Sequence, residues 1–270
     1  MSTSITDKTY KKLSLLVSPE GFSYAVLDTL NSKVLAVNDV VFSTNSDSNL
    51  LEDFYSKALS ENEALSEKYD EIIVLHDNNL SCFVPTPLFD ENAAGSYLQY
   101  NVKVFETDFF AFDSNETYQF NTVYVPYVNI NNLLIDQFGS FNYKHSHSVL
   151  VSKLLDASKN IDDKKMFVHF QPKHFEIIVV QNQKLLLFNS FEYKTPEDLI
   201  YYLLFTAEQL LLNPESFKLE FLGNINEESE FFKIAYKYIR NVSLFDVTDY
   251  QAKNGFSENE NRAHFILFNS

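Results

Sequence analysis

An α/β fold assembled twice, with a mixed sheet in each half of the chain, follows from three observations. Strand-rich meanders occur near residues 12–42 and again near 166–193. Each is followed by helix, strand, helix and strand, and short matching stretches appear in the two halves in the same order.

In the first half KLSLLV (12–17), FSYAVLD (22–28) and KVLAVNDVVF (33–42) are rich in β-branched and aromatic residues, with turns at Pro19–Gly21 and at Asn31 and Ser32. Ser46 or Asp47 can cap a helix carrying Leu50, Leu51, Phe54, Tyr55 and Ala58 on one face. YDEIIVL (69–75) reads as a strand, and Pro87 as the start of a helix to about Tyr100, before strands near NVKVF and DFFAFD. In VPYVNINNLLIDQFG, Asn129 is placed to cap a helix bearing Leu133, Leu134 and Phe138, and Gly139 to stop it.

The second half opens with MFVHF (166–170), FEIIVV (175–180) and KLLLFNSFEY (184–193). Thr195-Pro196-Glu197-Asp198 then starts a helix: threonine can cap it, proline fits its first turn, and the carboxylates sit at its positive end. That helix should end at Asn213-Pro214. The strand FKLEFLG (217–223), a helix over about 229–239, and strands at NVSLF and AHFILF complete the half.

Three alignments make the duplication testable. Val17-Ser18-Pro19-Glu20-Gly21-Phe22 matches Phe170-Gln171-Pro172-Lys173-His174-Phe175; KVLAVN (33–38) matches KLLLFN (184–189); NVKVF (101–105) matches NVSLF (241–245). A repeated unit of three strands, helix, strand, helix, strand is the ribonuclease H-like layout, found as two lobes facing a cleft in actin and the sugar kinases. The expected lobes are residues 1–162 and 163–270, with antiparallel pairing in each meander and parallel pairing through the crossovers.

Composition narrows the function. A net charge of −16 repels a nucleic-acid backbone, so no nucleic acid is expected as a partner. The most apolar stretch, LIYYLLFTAEQLLL, is too short to span a bilayer and carries Glu208 and Gln209, so no membrane insertion is expected. A polar N-terminal stretch and a single cysteine point to the cytoplasm and away from disulfides. With 26 Phe, 16 Tyr and no Trp, the cores rest on Phe and aliphatic packing, with Tyr at their margins.

SLLVSPEGFSYAVLD and the block VYVPYVNINNLLIDQFGSFNYKHSHSVLVSKLL (123–155) resemble the Bacteroidetes domain-of-unknown-function family thirty-eight twenty-two. The resemblance extends over nearly the whole chain. It implies a fold similar to the actin-like ATPases and a bacterial lineage, and no established activity.

Working actin-like ATPases read Asp-x-Gly in each phosphate hairpin and a Gly-Gly turn beside the adenosine. Carboxylates organise magnesium and small residues admit backbone amides to the phosphates. No aspartate occurs from Lys8 through Leu27 or from Met166 through Glu197. The cleft candidates are therefore Ser18, Glu20 and Gly21 in the first turn, Gln171, Lys173 and His174 in the second, and Gly223 and Asn224 at the single-glycine adenosine turn. Such a site favours no catalytic residue, metal or cofactor, and a pseudo-ATPase acting as a scaffold for a protein partner or a second copy. The alternative is an atypical nucleotide or anion binder using the cleft through Ser18, Lys173, His174 and Asn224.

His145-Ser146-His147 has metal-like spacing but no evident further ligands, and reads equally as a polar turn before a helix. His169 on a strand and His174 in a turn are expected to be hydrogen-bonded structural histidines, and Cys82 a small buried apolar residue. The acidic run NEESE (226–230) suits a helix start.

Overall fold

The computed structural model describes residues 8–42, 51–105 and 107–270. The chain divides into two compact units, one of Met1–Ser114, Gln119–Ser148 and Ser270, the other of Asn115–Tyr118 and Val149–Asn269.

In the first unit β1 (Lys11–Ser18), β2 (Gly21–Asp28) and β3 (Lys33–Val41) form the antiparallel meander. Helix α1 (Leu51–Glu61) crosses to β4 (Glu71–His76), which lies parallel to β1. The candidate caps Ser46 and Asp47, and Leu50, lie outside the described residues. An excursion follows: β5 (Ser81–Pro85), α2 (Ala94–Leu98), β6 (Ala111–Asn115) and β7 (Phe120–Tyr124), whose strands form a separate sheet in the order β5-β7-β6. Then α3 (Val128–Phe138) leads to β8 (Asn142–His145), parallel to β4, and on into α4 (Ser146–Ala157). The sheet order is β3-β2-β1-β4-β8.

The second unit repeats this plan. β9 (Lys165–Phe170), β10 (His174–Gln181) and β11 (Lys184–Glu192) form its meander. Helix α5 (Pro196–Gln209), β12 (Lys218–Gly223), α6 (Glu230–Tyr238) and β13 (Asn241–Leu244) complete a sheet of order β11-β10-β9-β12-β13. Three short helices follow, α7 (Thr248–Asn254), α8 (Glu258–Ala263) and α9 (Phe265–Phe268).

Each sheet buries one face under its own helices. Leu13, Leu15, Val17, Phe22 and Tyr24 pack with Tyr55 and Leu59 of α1 and Ile130 and Leu134 of α3. Val168, Phe170, Phe175, Ile177 and Val179 pack with Leu199, Leu203 and Ala207 of α5 and Phe232 and Ala235 of α6. α5 starts where the sequence places it: Thr195 and Asp198 form a reciprocal capping box with Pro196 in the first turn.

The edge strands carry a further sign of duplication. Register slips between Val26 and Leu27 opposite β3, and between Val179 and Val180 opposite β11, leave Leu35 and Leu186 as the extra, bulged residues. These are the third residues of the two stretches KVLAVN and KLLLFN.

Three readings change. Residues 101–105 form no strand, and the counterpart of β13 at the parallel end of the first sheet is β8, which also begins with asparagine. The helix expected from Pro87 to Tyr100 is broken into short 3-10 turns and the five-residue α2, because that stretch closes the extra sheet. AHFILF is helical: Ser257 and Glu260 box the start of α8, and Arg262, Phe265 and Ile266 recur at helical spacing. Two smaller shifts concern helix ends: α3 is preceded by Tyr127 instead of capped by Asn129, and α5 stops at Gln209, before Asn213.

Candidate functional site

The first turn places Ser18, Pro19, Glu20 and Gly21 between β1 and β2, and its backbone is tied inward. Ser18 donates its N–H to the Tyr55 hydroxyl at 3.2 Å, and that hydroxyl donates back to the carbonyls of Ser18 (2.8 Å) and Gly21 (3.0 Å). Pro19 has no N–H, and Glu20 donates its own to Ser18 Oγ at 3.3 Å. Tyr55 is fully buried, its ring stacked on Phe22 at 5.4 Å, so α1 holds the turn from beneath. Burial pushes the Tyr55 hydroxyl well above its ordinary pKa, which keeps it a neutral donor. Tyr55→Phe is expected to cost about 1–3 kcal/mol, read by urea denaturation, because it removes a buried partner from Ser18 and Gly21.

The second turn is built the same way from different residues. Gln171 donates its N–H to the His174 carbonyl at 2.9 Å, and Pro172 has none to offer. The Tyr193 hydroxyl, just past β11, donates to the carbonyls of Gln171 (2.9 Å) and Pro172 (3.0 Å). Lys173 is exposed at the tip. His174 turns back toward the sheet, its Nε2 lying 2.8 Å from the Glu176 carboxylate.

Glu176 is the buried centre of this end of the second unit. It is 1% exposed, and its other oxygen lies 2.8 Å from Nδ1 of His169, itself 1% exposed. His169 and His174 are thus both paired with a side chain of the same unit, and their shared partner is a carboxylate that the sequence reading passed over. The signal was present: pairing Phe170 with Phe175 across the turn sets His169 directly opposite Glu176.

Gly223 and Asn224 lie beside this second turn within the same unit. Asn224 donates its N–H to the Phe170 carbonyl at 2.8 Å. At Gly223 the backbone has φ +88°, and a Cβ would stand 2.3 Å from the Phe170 carbonyl oxygen. Gly21 has the same character, with φ +145° and the Val40 carbonyl 2.0 Å from where a Cβ would be. Both glycines therefore admit a neighbouring strand.

A buried polar cluster of the first unit gathers at the ends of β4 and β8, the carboxyl ends of parallel strands where α/β sheets bind ligands. His76 is fully buried beside the rings of Tyr124, Tyr127 and Tyr143, and its Nδ1 accepts the Tyr127 N–H at 3.2 Å. Burial lowers its pKa to about 4, so the imidazole is neutral at pH 7. Asp113 accepts from the His145 N–H (2.8 Å), the Ser148 hydroxyl and the Tyr124 hydroxyl (3.2 Å), while burial raises its pKa. Ser146 donates to Asp77 at 2.8 Å. His145 and His147 lie 4.4 Å apart, one against Asn78 (3.3 Å) and the other against Ser81 (2.9 Å). Their partners anchor the start of α4, and among the described residues no group of three His, Cys, Asp or Glu is set to hold a metal. Cys82 is buried, and burial pushes its thiol pKa up to about 11.

The sequence matches the model of a family described as a protein of unknown function (DUF3822) over residues 2–242. The chain belongs to that family. Among solved structures, this DUF3822 protein is similar to one from Bacteroides thetaiotaomicron VPI-5482, described as having an actin-like ATPase fold and unknown function. The TM-score is 0.83 at 20% identity, over 100% of both chains. It is also similar to a structure of the PilM-PilN type IV pilus biogenesis complex, with a TM-score of 0.60 at 11% identity over 95% of this chain and 96% of that one. The DUF3822 chain thus has the actin-like ATPase fold, two ribonuclease H-like units with mixed sheets. No curated protein matches it. No described helix is long and apolar enough to cross a membrane.

Proposed function

We propose that this DUF3822 protein is a non-catalytic, pseudo-ATPase form of the actin-like fold, serving as a binding or assembly scaffold in the cytoplasm. One observation carries the reading: the N–H groups of Ser18, Glu20 and Gln171 in the two hairpin turns are taken up within the protein itself. Ser18 and Glu20 spend their N–H groups on Tyr55 and on Ser18 Oγ, Gln171 spends its own on His174, and prolines 19 and 172 have none. A phosphate is bound by convergent backbone amides and by a metal held on carboxylates. Neither hairpin contains an aspartate, and Gly223 is occupied with strand packing.

Atypical anion binding is a weaker reading on the same grounds. Ser18 Oγ donates to the Gly21 carbonyl, His174 is engaged with Glu176, and the Asn224 N–H is engaged with Phe170; Lys173 is the exposed cation of the set. The similar PilM-PilN structure is that of a type IV pilus biogenesis complex, which agrees with an assembly role.

Thermal denaturation with millimolar ATP, ADP or GTP, with and without magnesium, tests the proposal. A ligand that binds only the folded state raises the melting temperature with the logarithm of its concentration over Kd. No shift is expected with any of the three. A magnesium-dependent rise that Lys173→Ala abolishes would overturn the scaffold reading in favour of nucleotide binding.

A further inference from the structure

We propose that the outward face of α5 and α6 is a self-complementary surface on which a second copy of the chain docks. Both helices bury one stripe against the sheet, Leu199, Leu203 and Ala207 from α5 and Phe232 and Ala235 from α6. The opposite stripe of α5 presents Glu197, Tyr201, Phe205 and Glu208, all exposed, with Tyr201 62% and Phe205 49% accessible. The Tyr201 and Phe205 rings lie parallel, 6.1 Å apart. The outward stripe of α6 presents Glu230, Lys233 and Lys237, all exposed.

Charge selects the occupant. α5 contains acidic residues and no basic one, whereas α6 opens on Glu230 and beyond that first residue carries Lys233 and Lys237, followed by Arg240, with no further acid before Phe245. A two-fold axis that lays α5 of one copy against α6 of the other brings Glu197 and Glu208 to Lys233 and Lys237 twice, around the paired aromatic rings. Two copies with a net charge of −16 repel each other overall, so a contact between them needs a face on which basic residues can meet acidic ones, as Lys233 and Lys237 of α6 can meet the acids of α5. An acidic peptide attracted by the lysines would meet the glutamates of α5, and nucleic acid is repelled by the chain as a whole. Tyrosine, with large area and little rotamer freedom, is a residue on which such contacts concentrate. The surface is independent of whether either turn binds an anion.

Sedimentation velocity of the full chain across the micromolar range tests the proposal. The wild type is expected to form a dimer that weakens as sodium chloride is raised. Lys233→Glu with Lys237→Glu should weaken it by about tenfold or more, and adding Glu197→Lys with Glu208→Lys to the same chain should restore it, since the complementarity is then inverted intact. Phe205→Ser, at an exposed position, should also weaken it about tenfold with an unchanged circular dichroism spectrum. A wild-type chain that stays monomeric over this range would overturn the proposal, as would a dimer indifferent to the charge reversals.

Discussion

Gly223→Ala is expected to destabilise the second unit by about 2–5 kcal/mol, a value that combines left-handed backbone strain with steric overpacking. The two contributions have separate causes. At φ +88° an L side chain is held in a strained backbone conformation. Its Cβ would also stand 2.3 Å from the Phe170 carbonyl oxygen and 2.7 Å from the Phe170 nitrogen. These neighbours are main-chain atoms of β9, which is paired on both sides and cannot yield as a flexible side chain would. Urea denaturation monitored by circular dichroism should show a lower midpoint with an unchanged slope. A variant within 0.5 kcal/mol of wild type, about the effect of an ordinary surface change, would contradict the assignment of Gly223 to strand packing.

His169→Leu is expected to cost about 3 kcal/mol, and the loss should shrink when Glu176→Leu is added. Glu176 is 1% exposed and its carboxylate is held by His169 on one oxygen and His174 on the other. Removing His169 takes a donor from a carboxylate that solvent cannot reach, and the desolvation cost then falls on the folded state. Replacing both partners by leucine removes that cost along with the interaction, which is why the double variant should recover stability. A double-mutant cycle gives the coupling directly. Additive single effects would mean that the buried carboxylate does not depend on the histidine.

These effects are structural, as they should be if the hairpins organise the sheet and do not grip a ligand. Tyr55 and Tyr193 illustrate the point. They come from different places in the repeat, one from α1 and the other from the end of β11, yet both hydroxyls tie turn carbonyls to the body of their own unit. A loop built to receive phosphate instead directs free N–H groups outward.

Much of this chain was readable from local pattern. Runs rich in β-branched and aromatic residues identified the meanders, Thr195-Pro196-Glu197-Asp198 started α5, and the match between residues 33–38 and 184–189 pointed to the duplication that the paired bulges at Leu35 and Leu186 make concrete. The absence of aspartate from both hairpins was likewise a property of the sequence alone. Such features depend on residues a few positions apart, where side-chain period, caps and turns act directly on the backbone.

Tertiary structure decided the rest. NVKVF was the expected last strand of the first sheet, and pairing with β4 selects Asn142–His145 instead. Residues 81–124 hid a three-stranded sheet because its five-residue strands carry little periodic signal and are stabilised by one another. The polar groups follow the same rule: His169 needs Glu176, Asp113 needs Ser148 and the His145 N–H, and Ser18 needs Tyr55 across 37 positions. A buried polar atom must find its partner wherever folding brings one, so the sequence specified the elements of this protein while contacts between distant residues decided their pairing and the commitments of its turns.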